Sequence, residues 1–118
     1  MKDIIKILFS IFFAIAIGVH IYYLYIGSTE PLWKHALYFL TYGTCWYMIY
    51  SSNPNSSWIY LLMALFPFAE HAYLGYLLLE ELNPEFWVCL VVCFFMIAGF
   101  VWLRLMKKKN AIAKQGHF

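Results

Sequence analysis

Apolar residues fall in four long blocks, and short polar clusters separate them. The first block, "IIKILFSIFFAIAIGVHIYYLYI" over 4–26, stops at "GSTE", a turn cluster that supplies a cap for the next helix. Pro31 suits the first turn of the second block, 31–50, which "SSNPNSS" then ends. The third block covers 57–80. "NPEF" announces the fourth, 84–106: Asn83 can cap, Pro84 takes the first helical position, and Glu85 meets the positive end of the helix dipole. A polar tail occupies 107–118. About 20 mostly apolar residues suffice to cross a bilayer as a helix, and each block is that long. The pattern predicts an all-α chain, one membrane domain made of a four-transmembrane-helix bundle running up-down-up-down.

Composition strengthens this reading. Hydrophobic residues make up 64% of the chain and charged residues 12%, against roughly 45–50% and about 25% in soluble domains. A chain of 118 residues has too small an interior to hide that excess from water, so the excess is expected to face lipid. Aromatics at 22% suit amphipathic rings at the two membrane interfaces, among them Tyr22, Tyr23, Tyr25, Trp33, Trp58, Trp87 and Trp102. No phosphate loop, zinc-finger spacing or basic face is present, which excludes nucleic acid as a partner. The three cysteines are odd in number and lie inside apolar runs, so a disulfide framework is not expected. Cys89 and Cys93 share one helix face and read as small packing residues.

Lysines set the orientation. Lys2 and Lys6 flank the start, and Arg104, Lys107, Lys108, Lys109 and Lys114 flank the end. Both termini are therefore expected in the cytoplasm, in the inner membrane of a bacterium. Glu80, Glu81 and Glu85 then lie outside. "MKDIIKILFSIFFAIA" has the basic start, apolar core and Ala14-x-Ala16 site of a cleaved signal peptide. Apolarity continues well past Ala16, so an uncleaved first span is the stronger expectation. Ser10, Ala14 and Gly18 recur at the spacing of a close helix-packing face.

Candidate chemistry sits in the helix interiors. Glu70 and His71 are adjacent, roughly 12–15 Å below the outer end of the third span, and His20 is roughly 9 Å below the outer end of the first. A charge at mid-membrane costs about 2.5–3.5 kcal/mol on insertion scales. Glu70 is thus expected to be paired, protonated or facing a polar cavity in the interior. Adjacent helical positions point about 100° apart, so Glu70 and His71 should seek different helices, with His20 a partner for one of them. Pro67 removes a backbone hydrogen bond just before them and is expected to kink the helix beside a cavity. Ala72 and Gly75 leave room for another helix. His35 lies near the headgroups beside Trp33 and Lys34 and reads as an interfacial anchor. Thr41, Gly43 and Thr44 read as packing residues, while Tyr42, Tyr47 and Tyr73 lie deep and need hydroxyl partners.

Three functions follow from this pattern. The leading one is a small membrane protein that binds or transports a small ligand, cation or proton at Glu70, His71 and His20. The second is an accessory, assembly or immunity-type protein whose polar cluster is purely structural. The third uses His20 and His71, at similar depth on parallel helices, to hold b-type haem or a metal ion, without a spacing signature to support it. The expected partners are the lipid bilayer and either another membrane protein or a second copy of the chain. No nucleophile–base pair is present, so hydrolytic catalysis is not expected. In length and number of spans the chain resembles the small multidrug-resistance transporters. Those carry their key glutamate in the first helix, where this chain has none. Four-span thiol-oxidising proteins need paired outward-facing cysteines, which are also missing here.

Overall fold

The computed structural model describes residues 2–27, 30–51 and 53–115. The protein is all-α, with no strand among the described residues. Four helices follow one another: α1 (Lys2–Ile26), α2 (Leu32–Ser51), α3 (Ser57–Leu77) and α4 (Pro84–Gln115). Two of them, over Asp3–Ile26 and Pro84–Ile112, are long and apolar enough to cross a membrane. α2 and α3 are interrupted by polar groups, chiefly Lys34, His35, Thr41, Glu70 and His71.

Local signals explain the boundaries. Asn53 Oδ1 accepts the Asn55 N–H at 3.0 Å and starts a single 3-10 turn, Pro54–Ser56, that leads into α3. Asn83 Oδ1 accepts the Phe86 N–H at 3.0 Å and caps α4, with Pro84 in the first position and Glu85 in the first turn. The "GSTE" cap falls partly on Ser28 and Thr29, which lie outside the described residues. Gly27, at φ 88°, turns the chain out of α1 where a side chain would be strained.

Two boundaries differ from the sequence pattern. The third helix ends at Leu77 and not near 80. Glu80 and Glu81 would face the negative end of the dipole, and the chain instead turns through Leu78–Leu82, with Leu82 left-handed at φ 49°. The fourth helix does not stop at 106 but continues through the basic tail to Gln115. Lysine, alanine and glutamine are good helix formers, and cations suit a helix C-terminus.

Consecutive helices are antiparallel, as three cross-helix pairs show. Trp46 Nε1 donates to Ser10 Oγ at 2.9 Å between α2 and α1. The Tyr38 and Phe66 rings lie 4.8 Å apart between α2 and α3. Tyr60 Oη donates to the Phe95 carbonyl at 3.1 Å between α3 and α4. This last contact needs Gly99, because a Cβ there would run into the Tyr60 phenol. Gly75 likewise admits Cys89, whose Cβ would stand 3.3 Å from an added methyl. Ala72 is exposed, and of the Ser10, Ala14, Gly18 row Ser10 bonds across to α2 while Ala14 and Gly18 are exposed. The buried face of α1 is aromatic instead, built from Phe9, Phe12 and Phe13.

α1 packs on α2, and α4 on α3, but α1 and α4 barely touch. They meet where Phe12 stacks on Phe95 at 4.4 Å and Phe9 meets Phe95 edge-on at 5.4 Å. Beyond Phe12, towards the α1–α2 connection, the two helices stand apart.

Candidate functional site

Three histidines and a lysine–carboxylate cluster gather near the α1–α2 connection. Antiparallel α1 and α2 bring His20 against His35, their Nδ1 atoms 3.1 Å apart. The His20 ring stacks on Tyr38 at 4.1 Å, and His71 meets the other neighbour of this group, approaching Tyr38 edge-on at 5.7 Å. His71 Nδ1 donates to the Pro67 carbonyl one turn earlier at 2.8 Å. Tyr38 thus sits between the imidazoles of His20 and His71, on the helix between those that carry them.

His35 is the main correction to the sequence reading. It is only 2% exposed and is no interfacial anchor. Its Nδ1 faces His20, while its Nε2 is buried without a hydrogen-bond partner. Trp33 beside it is 63% exposed and keeps an outward position.

Glu70 and His71 do part company, as their angular separation requires. Glu70 Oε2 lies 3.2 Å from Lys34 Nζ, and the same lysine lies 3.6 Å from Glu30 Oε1. Of the three expected solutions for Glu70, the structure supplies pairing, at an edge of the molecule where the carboxylate side chain keeps 35% exposure. The interior position expected for Glu70 is therefore corrected. Its partner is Lys34.

Pro67 is buried inside α3, and the helix continues through it to Leu77. Its use here is local: its carbonyl fixes the His71 ring. Among the tyrosines, Tyr42 is buried, but Tyr47 and Tyr73 are each 66% exposed and do not reach the interior. Thr41 returns its hydroxyl to the Leu37 carbonyl at 2.9 Å.

A cavity of about 480 Å³ occupies the gap between α1 and α4. Ile15 and Val19 form one wall, and Val88 and Val91 the other. Phe12, Phe95 and Trp87 add aromatic surface. His20, Tyr42 and His71, with the Trp87 indole, are the lining residues that carry polar atoms in their side chains, and Glu70 is not among the lining. The expected polar site therefore divides in two: an ion pair at the edge, and a histidine pair facing an apolar slot. Among the described residues no group of three His, Cys, Asp or Glu side chains is placed to hold a metal ion.

Sequence reasoning missed Lys34 and His35 because it placed them by depth alone. The signal was available: in a tight antiparallel hairpin, positions 34 and 70 are equidistant from position 52. Comparison with known proteins returns nothing, with no family model, curated protein or solved structure matching the chain.

Proposed function

We propose that this chain is a four-span integral membrane protein, multi-pass in a bacterial inner membrane, that binds a small neutral amphiphile entering sideways from the lipid. The lysine distribution supports the topology, with both termini cytoplasmic and the α3–α4 connection outside. The exposed apolar faces support it too: Ile7, Ile15, Leu62 and Phe94 are each more than half exposed, which suits acyl chains and not water. In that frame the α1–α4 gap lies in the outer half of a four-helix bundle.

One observation carries the binding reading: an apolar cavity of about 480 Å³ ends on two histidines and a tyrosine. Ligand sites are mostly apolar with a few placed polar groups, and their usual size is about 300–1,000 Å³. The cavity lining has no charged side chain, so the cargo is neutral. This reading keeps His20 and His71 of the expected site and leaves Glu70 out of it. Native mass spectrometry of detergent-purified protein, after incubation with a neutral lipid extract, tests it. One amphiphile retained per chain is expected, and Val91→Trp, which fills the slot from an exposed position, should abolish retention. Undiminished retention in that variant would place the ligand elsewhere.

The Lys34–Glu70 pair favours a second reading. Lys34 spans Glu30 and Glu70, so that cluster satisfies itself, as in an accessory or immunity-type protein whose polar groups only fix helix packing. Haem or metal ligation by His20 and His71 ranks below both. Tyr38 stacks directly on His20 and abuts His71, so its ring competes for the space near both imidazoles.

A further inference from the structure

We infer that the α1–α4 slot takes a lipid-soluble hydroquinone, its ring against the histidines and its chain out between the two helices. The inference rests on the ligand-binding reading above and adds the head group.

Hydrogen positions carry the argument. His71 gives its Nδ1 hydrogen to the Pro67 carbonyl. In the neutral ring its Nε2 then bears only a lone pair. His20 and His35 share one hydrogen between their Nδ1 atoms. His35 Nε2 is buried without a partner, and a hydrogen there would be an orphaned donor, which folded proteins rarely keep. The shared hydrogen therefore belongs to His35 Nδ1, His20 Nδ1 accepts it, and the hydrogen of His20 sits on Nε2. The polar groups of the slot lining thus offer one donor on His20, one acceptor on His71, the Tyr42 hydroxyl, and the Trp87 indole N–H, which only donates.

That set selects among neutral head groups. A hydroquinone hydroxyl can donate to His71 and accept from His20. A quinone carbonyl only accepts, so it leaves the His71 lone pair unmatched. A carboxylate would find no cation, because Lys34 is held by Glu30 and Glu70 outside the slot. A cationic head would find no acid there either. Phe12, Tyr42, Trp87 and Phe95 provide aromatic surface for a flat ring, and Ile15, Val19, Val88 and Val91 provide a greasy exit for its chain.

The test is calorimetric titration of the full chain in detergent, without oxygen, using a decyl benzohydroquinone, its quinone and dodecanol. The hydroquinone is expected to bind once per chain and about tenfold more tightly than the quinone, the cost of one unmatched buried acceptor. His71→Phe keeps a ring but removes the acceptor, and should shrink that preference to about twofold or less. Equal affinity for the two redox forms of the probe in the unmodified protein overturns the proposal without any variant. An unchanged preference in a folded His71→Phe protein overturns it as well. Dodecanol binding as tightly as the hydroquinone would remove the ring from the argument and leave the amphiphile site standing. Binding of none of the three, to protein with an intact melting transition, would end both readings.

Discussion

Lys34 Nζ lies 3.2 Å from Glu70 Oε2, tying the first turn of α2 to the middle of α3. A lysine in a first turn faces the positive end of its own helix dipole, so it gains from the carboxylates of Glu30 and Glu70. The lysine side chain is 21% exposed and the Glu70 side chain 35%, so the pair lies between surface and buried cases. Glu70→Leu is therefore expected to cost about 1–2 kcal/mol, more than an exposed pair and less than a fully buried one. Lys34→Leu should cost about as much, and the double substitution less than the two together. Thermal unfolding in detergent over this cycle gives the coupling. Strict additivity would show that the two groups do not interact.

Gly99 should be the least replaceable of the described glycines. An added methyl meets the Tyr60 phenol, which is fully buried and bonded to the Phe95 carbonyl. Gly99→Ala is expected to lower stability by about 1–3 kcal/mol through overpacking. Tyr60→Phe alone should cost about 0.5–1.5 kcal/mol for the lost hydrogen bond. Because it also removes the atom nearest the new methyl, the pair should be less harmful than the sum. Gly43, with open space around its Cβ position, serves as the control and should tolerate alanine.

Topology has a direct check. With Cys45, Cys89 and Cys93 replaced, a cysteine at Leu82 should react with an impermeant maleimide in intact cells. A cysteine at Lys108 should react only after permeabilisation. An externally labelled position 108 would refute the four-span arrangement. Intact mass of the purified protein should include the first sixteen residues, as an uncleaved α1 requires.

Haem supply offers a fourth check. Protein expressed with added haem is expected to purify colourless. A Soret band that vanished in both His20→Ala and His71→Ala would promote the haem reading above the amphiphile site.

Much of this architecture was legible. Long apolar runs and the Asn83–Pro84–Glu85 sequence fixed where helices begin, because capping is a local interaction. The helical tail was not: charge marks where a chain leaves lipid, and says nothing of where helical hydrogen bonding stops. His35 was misjudged for a related reason. Depth along one helix ignores the neighbour, and only the α1–α2 register turns a near-surface imidazole into a buried partner for His20. Ala14 and Gly18 resembled a close-packing row, yet the aromatic face of α1 took that part, since large rings bury more area than small residues can. Glu70 was found and its partner was not, although Lys34 and Glu70, like Tyr38 and Phe66, stand equally far on either side of position 52.

The contact between α1 and α4 near Phe12 and Phe95 acts mechanically as a fulcrum. Everything beyond it, up to the α1–α2 connection, is an unsupported arm on the α4 side. From Phe12 to Tyr23 that arm is roughly 16 Å long, so a tilt of about 5° moves its tip by some 1.4 Å. The width of the gap beyond the fulcrum therefore depends on the angle between the two helices. In the proposed membrane setting, bilayers of different thickness, which change helix tilt, would thus change the width of the entrance.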